Sequence, residues 1–429
     1  MNFYILNLGC AKNQVDSEEL SGLLEAAGHK IVGSAEDAEV AIVNTCGFIR
    51  PAVEESVDAI LDLEVLKRQG NLKKIGVVGC LVKRYGEDLK KEVPTVDFWA
   101  WPQEWDKVLN ALGTEKLGHQ RILMPNDPFW TRYLKISEGC NEKCSYCTIP
   151  SIRGSLKSIP IDMILEEAEE LISSGARELC VISQDPTAYG MDLYGKPSLK
   201  NLIGELDRSL PDGVWARLLY LHPKRIDEEL LEMVNDSRVV LPYLDIPIQH
   251  VDLGILTRMN RLGPWKDPTE IFRIARRINP FFALRTTLMV GFPGETEDEF
   301  NELLEFIEGM QLDRVGAFTF YPEEGTAAAS MPLQVADEVK EARYTELMEV
   351  QEKMSLKRQK LFEGTNLDVL VEEVDQEGEV YWGRSYRDAP EVDGSVCIES
   401  DYDLEPGTIV KVKVKEASEH DLFGEVIVR

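Results

Sequence analysis

Three short apolar runs near the start of the chain each end at a cysteine. Phe3 to Leu8 leads into Gly9-Cys10, Glu39 to Val43 into Asn44-Thr45-Cys46-Gly47, and Ile75 to Val78 into Gly79-Cys80. Between them, Ser17 to Ala27 carries Leu20, Leu23, Leu24 and Ala27 at helical spacing and stops near Gly28, and Pro51 to Lys67 reads as a second helix. This alternation of strand and helix predicts a doubly wound α/β sheet. Parallel strands present all their carboxyl ends on one edge, which is where such sheets bind ligands. Cys10, Cys46 and Cys80, placed alike on that edge, would converge. A small buried cysteine can also simply fill a strand end, a reading that suits one of these positions better than three.

A second cysteine pattern is local. The run Glu138-Gly139-Cys140-Asn141-Glu142-Lys143-Cys144-Ser145-Tyr146-Cys147 has C-x-x-x-C-x-x-C spacing and offers three thiolates in one loop. Four cysteines close the coordination of a structural zinc or an electron-transfer cluster, whereas three leave a metal position open for substrate or cofactor. A redox dithiol, or half of a zinc site completed by a distant ligand, would use the C-x-x-C pair alone.

Composition bounds the rest. At 429 residues with 44% apolar side chains, the chain has material for about two to four domains. Eight unevenly spaced cysteines do not make a secreted disulfide scaffold, the start MNFYILNLGC has no basic region ahead of an apolar stretch, and no apolar run reaches membrane-spanning length. A soluble, cytoplasmic protein is expected, in a reducing compartment where thiolates persist. The 47 basic and 76 acidic residues give a formal charge of -29, a field that repels nucleic-acid phosphates and attracts basic partners.

After a segment with Trp99, Trp101, Pro102, Trp105, Pro125 and Pro128, strand patterns recur at Arg132 to Ser137, Glu178 to Ser183, Val214 to Tyr220, Tyr243 to Ile248, Ala283 to Val290 and Val315 to Tyr321. Helical stretches such as Met163 to Ser173 and Pro268 to Ile278 separate them, which predicts a partial β/α barrel. A polar helix from about Asp337 to Phe362 follows. Beyond Gly364, short alternating runs at Leu367 to Val371, Val380 to Arg384, Val396 to Ile398, Ile409 to Val414 and Gly424 to Val428, broken by Glu377-Gly378, Asp393-Gly394 and Pro406-Gly407, predict a small β-barrel. Cys180 and Cys397 read as packing residues of a strand and of that barrel.

The loop resembles the signature of the radical S-adenosylmethionine (SAM) enzymes, with Tyr146 as the aromatic before the last cysteine. In order, the strand-end cysteines, this loop and the terminal barrel resemble the methylthiotransferase family over essentially the whole chain. Several words are similar to its ribosomal-protein branch: Cys147-Thr148-Ile149-Pro150-Ser151-Ile152-Arg153-Gly154, Ser183-Gln184-Asp185 with Ala188-Tyr189-Gly190, Glu323-Glu324-Gly325-Thr326, and Gly383-Arg384-Ser385-Tyr386 followed by Asp388-Ala389-Pro390-Glu391. Where relatives tend to carry a second basic residue after Ile-Arg-Gly, this chain has Ile159.

The resemblance implies a flavodoxin-like sheet (1–120), a central partial (β/α)6 radical-SAM barrel (126–358) and a TRAM β-barrel (359–429). It implies two 4Fe-4S clusters, one on Cys140, Cys144 and Cys147 that binds SAM, the other on Cys10, Cys46 and Cys80. Both cysteine sets would be catalytic. It further implies that a 5'-deoxyadenosyl radical takes hydrogen from the β-carbon of an aspartate in small-subunit ribosomal protein S-twelve, giving 3-methylthioaspartate, with an external electron donor and a sulfur source as partners. The amino-terminal sheet edge would then have to sit over the barrel mouth. Expected SAM contacts are Tyr146, Ser183, Gln184, Asp185 and Gly291, the last because glycine lets backbone approach a ligand. Gln249 and His250 end another strand, with His250 expected as a core histidine.

Charge bears on the choice of substrate. Residues 364–429 hold about 17 acidic and about 6 basic side chains, so nucleic acid is not the expected partner. Lys411, Lys413 and Lys415 share one strand face, which is expected to be a solvated face. The alternatives are a tRNA adenosine methylthiotransferase and a non-catalytic RNA-binding metal protein.

Overall fold

The computed structural model describes residues 1–429 apart from 71, 116–117, 119–120, 126, 265–266, 376–379 and 428–429. Two compact units make up the chain. One comprises Met1–Asp127, Glu138–Glu142 and Cys147–Leu156; the other comprises Pro128–Ser137, Lys143–Tyr146 and Lys157–Arg429.

In the first unit, strands β1 (Asn2–Asn7), β2 (Lys30–Ile31), β3 (Val40–Thr45), β4 (Lys74–Gly79) and β5 (Phe98–Ala100) pair in parallel in the order β2-β1-β3-β4-β5. This is the flavodoxin-like order, whose switch point lies between β1 and β3. Strand β3 is buried at every position because both faces of the sheet are covered. Val40 and Ile42 pack with Phe3, Leu20 and Leu24 on one face, while Ala41 and Val43 pack with Ile60, Val77 and Leu81 on the other. Helix α1 (Ala11–Ala26) begins earlier than its apolar spacing suggests, because its first turns bury Asn13, Asp16 and Ser17. Ala27, expected on the apolar stripe, is the C-cap and only half-buried. Helices α2 (Arg50–Arg68), α3 (Cys80–Glu92) and α4 (Trp105–Leu112) follow β3, β4 and β5.

The second unit holds the expected partial barrel as six parallel strands. Thr131–Lys135, Glu178–Ile182 and Trp215–Leu218 form one sheet; Tyr243–Asp245, Ala283–Val290 and Arg314–Thr319 form another. An isolated bridge between Ala216 and Val240 joins them, and the Leu221 N–H donates across to the Asp245 carbonyl at 2.8 Å. The Leu241 N–H donates to the Ala216 carbonyl at 2.8 Å, but the Tyr243 N–H, next in line to extend that ladder, turns back to the Leu241 carbonyl at 2.7 Å, which interrupts the pairing. Leu134, Val181, Leu218, Leu244, Leu284 and Val290 share one core with apolar residues of the intervening helices.

The terminal strands Asn366–Val374, Val380–Ser385, Val396–Glu399, Leu422–Val426 and Ile409–Ala417 close into a barrel in that order. Val396 and Ile398 enter its core, so alternation turns Cys397 outward, half-buried, where a packing residue was expected. The expected Glu377-Gly378 turn and Val428 lie outside the described residues. Arg384 and Arg387 fasten this barrel to the six-stranded core through buried ion pairs: Glu178 receives Arg384 together with Arg217 of its neighbouring strand, each at 2.6 Å, and Asp313 receives Arg387 at 3.2 Å together with the helix residues Arg276 at 2.5 Å and Arg358 at 3.2 Å. Burial opposes ionisation of both carboxyls, but the arginines outweigh it and hold each at about 2. Among the described residues no helix is long and apolar enough to cross a membrane.

Candidate active site

The sheet edge of the first unit gathers the strand-end cysteines. Cys10 is the N-cap of α1, Cys46 follows β3, and Cys80 is the first residue of α3. Thus β1 and β3, which flank the switch point, each deliver a thiol, and β4 delivers the third. Gly9 makes the first turn with φ of 105°, and a Cβ there would lie 3.0 Å from the Cβ of Cys46; a side chain would meet both strain and contact. Asn13, one turn into α1, organises the site. Its Nδ2 donates to the carbonyls of Leu8 at 2.7 Å and Thr45 at 3.1 Å, pinning the ends of β1 and β3 together. Its Oδ1 stands 4.0 Å from the sulfurs of both Cys10 and Cys80.

A fourth segment of the same unit reaches this edge. Helix α5 (Ile149–Arg153) follows Cys147 in sequence, and its last residue, Arg153, donates from Nε to Cys80 Sγ at 3.2 Å. Nη2 donates to Asn13 Oδ1, and Nη1 donates to Asp16 at 2.7 Å and to Glu138 at 3.2 Å. Burial pushes the Cys46 thiol up and the Cys80 thiol up to about 12, with Arg153 opposing both shifts. Burial also works against the charge of Arg153, but Asp16 and Glu138 more than restore it. Among the described residues no group of three or more His, Cys, Asp and Glu side chains forms a ready cage for a metal ion. The donor chemistry nevertheless fits a thiolate-ligated cluster, which would replace the three thiol protons beside a cation.

The loop cysteines are held differently. Cys140 and Cys147 belong to the first unit and Cys144 to the second. The Cys140 sulfur accepts the Glu142 N–H at 3.4 Å, and the Cys147 sulfur accepts the Ile149 N–H at 3.5 Å. Cys144 accepts Arg261 Nη1 at 3.5 Å, and Nη2 of the same guanidinium anchors on the Pro247 carbonyl. All three thiols are half-buried.

Of the expected SAM residues of the second unit, Ser183, Gln184, Asp185 and Gly291 follow strand ends, while Tyr146 lies in the cysteine loop. Tyr146 packs against an apolar cluster that includes Met259, Met289 and Phe292, and the last two bracket Gly291 closely in sequence. Gly291 has φ of 75°, and a Cβ there would strike Lys340 Cγ at 2.3 Å; its N–H is taken by the Glu295 carboxylate. Asp185 is fixed by Arg225 at 2.8 Å, and Gln184 precedes it in the turn after Glu178–Ile182. Ser183 Oγ, Gln249 Oε1 and His222 Nε2 are buried with no hydrogen-bond partner among the described residues. Burial, with Arg261 and Arg225 nearby, drives the His222 pKa well down, so the ring is neutral. Unpartnered buried polar atoms at the strand ends are what a polar ligand would satisfy. His250 is the expected core histidine: Nδ1 accepts the Asp252 N–H at 3.0 Å and Nε2 stands 3.5 Å from Glu295. Sequence reasoning missed Asn13, His222 and Arg261. Only Asn13 carried a signal, as a short amide one helical turn after a strand-end cysteine.

Comparison with known proteins accords with this geometry. The family described as "Uncharacterized protein family UPF0004" matches residues 2–100, the "Radical SAM superfamily" residues 134–307 and the "TRAM domain" residues 364–427. A "Ribosomal protein uS12 methylthiotransferase RimO" from Carboxydothermus hydrogenoformans is 41% identical over 441 residues, covering 100% of both chains. Its namesake from Aquifex aeolicus is 43% identical over 427 residues, covering 99% of this chain and 97% of that one. Among solved structures, the radical SAM methyltransferase TsrM from Kitasatospora setae, with cobalamin and a 4Fe-4S cluster bound, superposes with a TM-score of 0.55 at 14% identity over 76% of this chain and 73% of that one. The cobalamin-dependent radical enzyme OxsB gives 0.53 at 13% identity, covering 82% and 56%; both likenesses are of fold. With full-length relatives at this identity, the chain belongs to the family of ribosomal protein uS12 methylthiotransferases within the radical SAM superfamily.

Proposed function

We infer that this protein is a radical SAM methylthiotransferase that attaches a methylthio group to the β-carbon of an aspartate in ribosomal protein uS12. The observation that carries the reading is the second set of thiols. One open-coordination loop suits any radical SAM enzyme, but Cys10, Cys46 and Cys80 gathered about Asn13 add a second sulfur-rich site, which insertion of sulfur requires. Cys140, Cys144 and Cys147 would hold one 4Fe-4S cluster, and Cys10, Cys46 and Cys80 the other. Together with SAM these groups supply the one-electron chemistry that opens an unactivated C–H bond, which no acid–base pair of side chains can do.

The protein's own part is placement and charge. Arg261 fixes Cys144 against the Pro247 carbonyl. Tyr146, Ser183, Gln184, Asp185 and Gly291 would line the SAM pocket, with Ser183, His222 and Gln249 offering unused polar atoms to ligand or substrate. The closed barrel supports a basic protein partner. Lys411 is paired with Asp368 at 2.8 Å, and Lys415 with Glu399 at 3.3 Å and Glu425 at 2.8 Å, so these two lysines give no free cationic stripe for phosphates. An external reductant and a sulfur source complete the reaction, in the cytoplasm.

Anaerobic reconstitution tests the reading: about eight irons per chain are expected. Incubation with uS12, SAM, reductant and sulfide should add one methylthio group to an aspartate by mass spectrometry. Modified tRNA adenosine with untouched uS12 would overturn it.

A further inference from the structure

The guanidinium of Arg153 is 2% exposed, and each of its edges has a defined acceptor. Nη1 faces two carboxylates, Asp16 and Glu138, which suffice for a structural ion pair. That role leaves the other edges unexplained. Nε points to Cys80 Sγ at 3.2 Å, and Nη2 to the one amide oxygen that stands 4.0 Å from both Cys10 and Cys80. The cation therefore donates from Nη1 to its counter-charges and from Nε and Nη2 to sulfur and to the amide beside it.

We propose that Arg153 is a positioning residue that sets the reduction potential of the cluster carried by Cys10, Cys46 and Cys80. The proposal rests on the two-cluster reading above. Potentials of thiolate clusters depend on net charge and on hydrogen bonds to sulfur. Reduction adds negative charge, so a cation donating N–H to a ligand sulfur favours the reduced state and raises the potential. Without Arg153, the Asp16 carboxylate, 1% exposed, would be buried uncompensated in the same unit and would lower it further. Lysine keeps the charge but lacks the fork that reaches sulfur, amide and carboxylate at once. Because Arg153 lies just past the Cys147 loop, the same contacts tie the segment after that loop to the sheet edge.

The test uses full-length protein with Cys140, Cys144 and Cys147 changed to Ala, so that only the amino-terminal cluster assembles. Redox titration followed by electron paramagnetic resonance compares R153 with R153K, R153M and D16N/R153M. A lower midpoint potential is expected in R153K, a lower one still in R153M, and partial recovery in D16N/R153M, with altered g-values throughout. Four irons with the R153 potential and spectrum in R153M overturn the proposal; if R153M holds no iron, the same result in D16N/R153M does so. Iron lost from all three variants also overturns it, because assembly would then be the residue's role. An R153 protein that binds no iron at these cysteines instead sinks the two-cluster reading.

Discussion

Two buried polar clusters in this protein use the same materials to opposite ends. At the base of the closed barrel, Asp313 is met by Arg276, Arg358 and Arg387, and Glu178 by Arg217 and Arg384; every carboxylate there faces arginine. At the amino-terminal sheet edge, Arg153 meets Asp16 and Glu138 on one side only and turns toward thiols on the other. A network closed on itself joins two parts of a fold. One whose polar edge ends on sulfur is arranged for something still to be bound.

The largest expected effect breaks the two thiol sets apart. Cys144→Ala should abolish both uS12 modification and reductive cleavage of SAM, since its sulfur belongs to the loop that would meet the cofactor. Cys80→Ala should abolish methylthiolation while leaving 5'-deoxyadenosine formation, read by chromatography, within a few-fold of wild type. Loss of both reactions in Cys80→Ala would mean the sheet edge serves the radical site itself and has no separate sulfur role.

Next in size is the closed network. Asp313→Asn leaves three arginines facing a neutral amide and should cost about 3–5 kcal/mol of stability, read by urea unfolding with secondary structure retained. The pH dependence has a definite sign. The folded-state pKa of Asp313 is lowered to about 2, below an unfolded value of about 3.9. Its contribution is therefore full above about pH 4 and disappears as pH falls through about 2. Wild-type stability should fall more steeply than that of Asp313→Asn across this window, and parallel curves would show that the ion pairs contribute little.

A smaller effect is expected at Asn13. Asn13→Ala removes the hydrogen bonds to the Leu8 and Thr45 carbonyls and the one accepted from Arg153, a loss of about 1–3 kcal/mol. It should also lower the iron content at the sheet edge while sparing the loop cluster. Alkylation of the metal-free protein supplies a companion measurement. Exposed Cys10 should label first and buried Cys80 last, and the gap should narrow in Asn13→Ala as the turns loosen.

The contrast also explains what could be read from the chain. The placement of Cys10, Cys46 and Cys80 on one sheet edge was legible because parallel topology brings strand ends together, and the candidacy of Cys140, Cys144 and Cys147 came from their spacing in one loop. Asn13 and Arg153 were not legible in their roles, since a polar residue buried on a helix looks like a solvated one until its partners are placed. The same reason hid the first turns of α1, where Asn13, Asp16 and Ser17 take the positions an apolar stripe would mark. Asp313 and its three arginines come from separate elements, two helices and the closed barrel, and only the tertiary fold brings them together.

The smallest expected effect lies on the barrel surface, where charges are neither buried nor close to sulfur. Lys411 and Lys415 are about half-exposed and paired across strands with Asp368, Glu399 and Glu425. Exposed pairs of this kind add little to stability, so Lys411→Ala with Lys415→Ala should leave the melting temperature unchanged within error. Their removal makes an acidic barrel more acidic, so affinity for basic uS12 should hold or rise slightly, with a steeper loss on adding salt. If these lysines instead gripped RNA, the same substitutions would weaken binding to ribosomal RNA and flatten its salt dependence. Binding of uS12 alone and of the 30S subunit, each measured across a salt series, distinguishes the two. The RNA result would move the barrel from protein recognition to ribosome anchoring and leave the two thiol sets as they stand.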